Sequence, residues 1–155
     1  MRRTSQKLKQ KDNGMIPHTC RAIGFVCIDW RLHPAAELFL ARRYTTFDCC
    51  ANAGAIQGFG NKKTAAHFLK QIELSRALHQ PKEVVLTMHM DCGAYGGSKA
   101  FDNAKDEMAH HTVELRKIGV VVRERFPMLG VTLYILRLSL RGKKWILRPQ
   151  KVKHT

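Results

Sequence analysis

Short apolar runs alternate with stretches of helical period along most of this chain. Arg21 to Cys27 reads Arg-Ala-Ile-Gly-Phe-Val-Cys and is followed by a polar loop, the pattern of a buried strand. Pro34 opens a short helix over 35–43, since proline suits the first helical turn. Thr45 to Cys50 is rich in β-formers and predicts a second strand, closed by a tight turn at Asn52-Ala53-Gly54. Asn61 or Thr64 is placed to cap a helix running to about His79, with Ala65, Phe68, Leu69 and Ile72 on its apolar face and Pro81 ending it. Glu83 to Met88 is the clearest buried strand. After a glycine-rich loop, Ser98 is expected to cap a long helix reaching about Phe126, with Phe101, Ala104, Met108, Leu115, Ile118 and Val122 on one face. Val131 to Leu140 predicts a fourth strand, and Arg141-Gly142-Lys143 turns it back into a short edge strand over 144–147.

Strands and helices that alternate in this way predict an α/β fold. The expected core is a mainly parallel open sheet flanked by helices, with strand order 2-1-3-4 and a short antiparallel edge strand. Right-handed crossovers should join the parallel strands. No internal repeat interrupts the pattern.

The chain has 155 residues, enough for one core domain. That domain is expected over 15–148, between a basic flexible arm at 1–14 and a basic tail at 149–155. There is no uncharged apolar stretch of about 18 residues, so no membrane partner is expected. The first 25 residues hold no apolar leader core, and a cytoplasmic protein is the reading. Five cysteines, two of them adjacent (Cys49, Cys50), make a poor disulfide framework and suit reduced thiols. Cys20, Cys49 and Cys50 read as core packing, and His33, His67, His79, His110 and His111 as surface residues. The net charge is +15, and 12 of the 27 basic residues crowd the two ends, with no acid after Glu124. Ends of this kind either solubilise the chain or hold a nucleic acid or acidic partner.

Two sets of residues follow strands one and three: Cys27-Ile28-Asp29-Trp30-Arg31 and His89-Met90-Asp91-Cys92-Gly93. In an open parallel sheet, ligands bind beyond the carboxyl ends of the strands, where strand order reverses. If strands one and three are neighbours, two thiolates and an imidazole converge there. Such a set suits one Zn²⁺ per chain, and three protein ligands leave a fourth position open. Gly93 is expected to relieve crowding where the loop wraps the metal. Convergence requires the sulfurs of Cys27 and Cys92 to lie within about 5 Å. The plainer alternatives are two buried thiols and an Asp29–Arg31 salt bridge without catalysis. Each motif has a chance expectation of about 0.02 in a shuffled chain, so the pair carries weight that neither has alone.

Cys-x-Asp-x-Arg followed by His-x-x-Cys-Gly resembles the signature of β-class carbonic anhydrases. Cys27 to Pro34 looks like the short archaeal-type branch of that family, and Asn52-Ala53-Gly54 is similar to its Asn-Ala-Gly turn. The resemblance spans about residues 20–140. It implies a homodimer or higher homo-oligomer and reversible hydration of CO₂ to bicarbonate by zinc-bound hydroxide. It also implies Cys27, His89 and Cys92 as zinc ligands and Asp29 with Arg31 as catalytic dyad. The chemistry of that dyad is sound, because a bidentate arginine keeps a carboxylate ionised and ready to accept a hydrogen bond. In some members of the family the aspartate binds zinc instead. The chain departs from the family at Ala51, where arginine is usual, and at Met88, where glycine or histidine is usual. Carbonyl sulfide or carbon disulfide as substrate, and a catalytically inactive zinc-stabilised nucleic-acid binder, stand as the alternatives. Zinc with two thiolates is formally neutral and acidifies water less than a doubly positive centre. Activity is therefore expected to rise on the alkaline side of pH 7, and a flat profile from about pH 6 to 9 would count against the mechanism.

Overall fold

The computed structural model describes residues 18–154. The arm expected at 1–14 lies outside the described residues. Five strands form one sheet in the order β2-β1-β3-β4-β5: β1 (Ala22–Cys27), β2 (Phe47–Asn52), β3 (Glu83–His89), β4 (Gly130–Arg141) and β5 (Lys144–Val152). The first four are parallel and β5 is antiparallel to β4. The expected fold class, strand order and antiparallel edge are therefore present.

Helix α1 (Ala35–Tyr44) covers one face of the sheet, and α2 (Ala65–His79) and α3 (Ala104–Arg125) cover the other. The alternation of β1 explains both cores. Ile23 and Phe25 point toward Phe68, Ile72 and Leu115, while Ala22 and Val26 point toward Ala36 and Leu40. Gly24 lies beneath α1. A Cβ there would sit 2.8 Å from Leu40 Cδ1, so the missing side chain is what lets the helix pack this close. Among the described residues, no helix is long and apolar enough to cross a membrane.

The structure corrects several expected boundaries. β5 runs to Val152 and does not stop at Leu147, so residues 149–152, read as part of a basic tail, belong to the sheet. Pro149 pairs opposite Leu136 on this edge strand, where no outer neighbour needs its missing N–H. Ser98 does not cap α3. It begins a short 3-10 turn, and Asn103 is the cap, its side chain accepting from the backbone N–H of Lys105 and Asp106. Helix α2 begins after Thr64, but the Thr64 hydroxyl donates to the Gly58 carbonyl instead of capping the helix.

The buried stripe of α3 is Glu107, His111, Leu115, Ile118, Gly119 and Val122. At its N-terminal end this stripe is polar. Ala104 and Phe101, expected on the apolar face, are not part of it, and His111 is fully buried where a surface residue was expected.

Candidate metal centre

β1 and β3 are hydrogen-bonded neighbours, so their carboxyl ends lie side by side. β2 lies on one side of β1 and β3 on the other, which makes this end of β1 the point where strand order reverses. Cys27 is the last residue of β1 and His89 the last of β3. Cys92 follows in the turn after β3. One donor atom from each of these three buried residues lies within 4.8 Å of the other two.

The two sulfurs are 3.9 Å apart. Two zinc–sulfur bonds of about 2.3 Å at a tetrahedral angle span about 3.8 Å. The imidazole is equally well prepared. His89 Nδ1 donates to the Met90 carbonyl at 2.9 Å, which leaves Nε2 as the lone-pair nitrogen. That nitrogen is buried and has no hydrogen-bond partner. An orphaned imidazole nitrogen beside two thiols fits a borderline-soft cation, and the carbonyl on the far side of the ring is the usual orienting contact for such a ligand. The thiols couple strongly. The hydrogen bond from Cys92 pulls the pKa of Cys27 down, with His89 helping against burial. The same contact and burial push Cys92 up. Of the two, Cys27 is therefore the easier to ionise.

Asp29 and Arg31 form the expected pair. Arg31 Nη2 donates to Asp29 Oδ2 at 2.6 Å, and Nε donates to Oδ1 at 3.0 Å. The Arg31 backbone N–H also donates to Oδ1, closing a tight local turn. Asp29 Oδ2 lies 3.9 Å from His89 Nε2, beside the donor triangle. Here the carboxylate engages Arg31 with both oxygens.

Arg31 also reaches across to the other loop. Its Nη1 donates to Asp91 Oδ2 at 2.7 Å, and its Nη2 donates to the Asp91 carbonyl at 2.8 Å. One guanidinium therefore ties the β1 loop to the β3 loop. Asp91 has a left-handed backbone (φ 58°), and its Oδ1 accepts from the Ser98 N–H.

A residue with no metal-binding motif completes the loop. Glu107, in the first turn of α3 and 1% exposed, accepts from the Asp91 N–H at 2.5 Å and from the Ser98 hydroxyl at 2.7 Å. Its sequence position gives no warning, because a glutamate early in a helix normally faces water. The only available signal is that it falls four residues before His111 and eight before Leu115, on the same face.

Gly93 does not relieve crowding, since a Cβ there would meet nothing within 4 Å. The tight positions are Gly96 (φ 86°) and Gly97 (φ 72°), where the loop turns back and both Tyr95 and Gly97 donate to the Cys92 carbonyl.

A cleft of about 520 Å³ opens over the site, lined by Cys27, Ile28, Asp29, Trp30, Ala53 and Ala94 among others. Trp30 lines this mouth and is 73% exposed, its ring set edge-on to Trp145. Tyr95 faces a different hollow of about 1000 Å³, with Phe68 and His110 in its wall.

An open parallel sheet with a buried Cys-His-Cys donor group at its switch point defines the class of this chain: an α/β protein with a site that could hold a metal. No protein-family model matches it. Over 121 residues, 73% of the chain, it is 33% identical to an uncharacterized protein of Rickettsia conorii, and it spans 65% of that protein's length. Over 122 residues it is 27% identical to an uncharacterized protein of Rickettsia bellii, covering 74% of it. A solved structure, the β-carbonic anhydrase CafA of Aspergillus fumigatus, matches with a TM-score of 0.47 at 17% identity, covering 89% of this chain and 78% of that one.

Two outcomes follow from the clamps. Truncation by Glu107→Ala removes the acceptor for two loop donors, and if the donor group holds a metal its affinity, read by chelator competition with Zn²⁺ as the probe, should fall about 10- to 100-fold. Unchanged affinity would show that the loop holds its shape alone. The second outcome concerns pH. The side-chain hydrogen bonds from Arg31 hold Asp29 below the ordinary carboxylate range, with burial opposing, and the same guanidinium lowers Asp91. A depressed carboxylate stabilises the fold above its unfolded pKa of about 4, and that contribution is lost as pH falls through the lowered value. The stability gap between wild type and Arg31→Gln, from urea unfolding with chelator present, should therefore narrow as pH falls from about 6 to about 2. A gap independent of pH would rule out this electrostatic role.

Proposed function

We propose that this protein is a zinc-dependent enzyme of the carbonic anhydrase type, catalysing the reversible hydration of CO₂ to bicarbonate. One observation carries the reading. The buried, unpartnered Nε2 of His89 shares a donor triangle with two sulfurs at zinc-like separation, and an arginine-clamped carboxylate stands beside it. Cys27, His89 and Cys92 would hold the ion. When bound, zinc supplies Lewis acidity that brings the pKa of a coordinated water toward neutrality.

The protein's own residues do the rest. Asp29 is kept ionised by Arg31 and is therefore an acceptor only. It takes a hydrogen bond from the nucleophilic water and turns that oxygen's lone pair toward substrate. Arg31 remains charged throughout, because Asp29 and Asp91 both raise its pKa. Ile28, Ala53 and Ala94 give the cleft an apolar wall suited to a small uncharged substrate. The net charge of +15 favours approach of the anion in the reverse direction. The leaving proton passes to solvent through the open mouth.

A homodimer or higher oligomer accompanies this reading. Leu38, Phe39, Trp145 and Leu147 line a half-open groove between α1 and β5, and a second copy would cover it. Carbonyl sulfide or carbon disulfide would fit the same cleft and the same chemistry. The assay therefore compares CO₂ hydration with sulfide release on one zinc-loaded sample. Asp29→Ala should lower CO₂ hydration about 100-fold or more, with zinc content unchanged. Full activity in that variant, or a wild-type chain that binds no zinc, overturns the proposal. Zinc retained without turnover, together with salt-dependent RNA binding, would favour the nucleic-acid reading instead.

A further inference from the structure

At the opposite end of β1, about 20 Å from Cys27 at some 3.3 Å per strand residue, a second set of donors meets. Cys20 precedes β1, Asp48 lies near the start of β2 and His79 is the last residue of α2. One donor atom from each of the three lies within 4.8 Å of the other two. His18 comes in from the lead-in to β1, its ring centroid 5.1 Å from that of His79. The group is half-buried and borders a surface hollow of about 380 Å³.

Several features give this cluster the character of a built site. Asp48 is oriented from behind by the Ser75 hydroxyl, which donates to its Oδ2 at 2.6 Å from a buried position. The Nδ1 of His79 donates to both Asp48 oxygens at 2.9 Å, so a single hydrogen stands between imidazole and carboxylate. The backbone is fixed too. The Cys20 N–H donates to the His79 carbonyl at 2.8 Å, and the Arg21 N–H donates to the Thr46 carbonyl at 2.9 Å. The donors therefore stand on three pinned segments, and only His18 is exposed.

We propose that Cys20, Asp48 and His79 form a second transition-metal site, of Zn²⁺ or a similar divalent ion, with the neighbouring His18 ring as the candidate fourth donor. The donor chemistry selects this class. One sulfur, one carboxylate oxygen and imidazole nitrogens suit zinc or cobalt, whereas calcium and magnesium demand all-oxygen shells. A thiolate and a carboxylate balance the charge of one dication. The three donors come from three separate segments, which marks a structural role: the ion staples the start of β1 to β2 and to the end of α2.

The test is a Co²⁺ titration of the full chain, followed by its thiolate charge-transfer band and by metal analysis after desalting. Wild type should saturate at two equivalents. Cys20→Ala and His79→Ala should each lose one equivalent and keep the band from the two-thiolate centre. The double variant Cys27→Ala with Cys92→Ala should keep one equivalent with a one-thiolate band. Since a half-buried substitution can impair folding, the exposed His18→Ala is the second line, expected to weaken one of the two equivalents about tenfold or more. Wild type saturating at one equivalent that is unchanged in Cys20→Ala overturns the proposal and leaves the Cys27 centre standing. One equivalent that vanishes in Cys20→Ala upholds this site and removes the other. No binding at all removes both.

Discussion

The hydrogen-bonded pairing of β1 with β3 is the constraint on which the site rests. Neighbouring strands in a sheet lie about 4.8 Å apart. Two residues that end adjacent parallel strands are thus held at roughly the spacing of ligands on one metal ion, without any help from a loop. Cys27 and His89 end these two strands, two and three residues beyond the last paired positions, Phe25 and Leu86. Cys92 needs only a three-residue reach from His89 to complete the triangle. Outward from this end, the chain leaves β1 to one side and returns to β3 on the other, so nothing in the sheet covers the opening.

Strand pairing fixes the donors but not the loops that follow them, and here charge takes over. Arg31 engages Asp29 and Asp91 at once, and Glu107 holds the Asp91 backbone from beneath. A buried carboxylate is a poor source of stability, because desolvation offsets most of what its contacts return. Glu107 is almost fully buried all the same, with two donors aimed at it. Its value lies in geometry: it gives the left-handed residue Asp91 one position and so gives Cys92 one position. His111 stacks one turn along the helix with its Nε2 3.6 Å from Glu107, and burial lowers its pKa. The polar end of the α3 stripe is therefore the price the helix interface carries for a rigid loop beside the donor group.

That exchange also explains what could be read in the sequence. The strands β1 and β3, the three donors and the Asp29–Arg31 pair were legible because each sits in a local pattern: a short apolar run with chemistry at its carboxyl end. The sheet order followed from the need to bring those ends together. Helix α3 was harder. The face expected from Phe101, just before the helix, and from Ala104 and Met108 is at most half-buried, because the fully buried positions at this end are taken by Glu107 and His111. Periodicity reads burial from hydrophobicity, and it fails where a helix buries polar groups to serve a neighbouring loop. The length of β5 was hidden for a different reason. Lys144, Arg148 and Lys151 face water and Pro149 reads as an ending, yet an edge strand tolerates both.

The five cysteines show how environment, and not count, assigns chemistry. Cys50 has its pKa pushed up to about 11 by burial, with nearby acidic groups adding, and no imidazole stands with it in a donor group. Cys50 is thus a thiol held in its neutral form, suited to packing. Cys49 is exposed, so the core packing expected of it is not seen. Cys27 and Cys92 have each other and an imidazole. Burial raises the Cys20 thiol too, but Cys20 stands with a carboxylate and an imidazole, held by a backbone that already joins three segments. A cysteine acquires a ligand's role where the fold gives it partners that a cation would satisfy better than protons do. By that criterion both ends of β1 are candidates, and its interior position, paired on both sides, makes it the rigid axis along which the two donor groups are set.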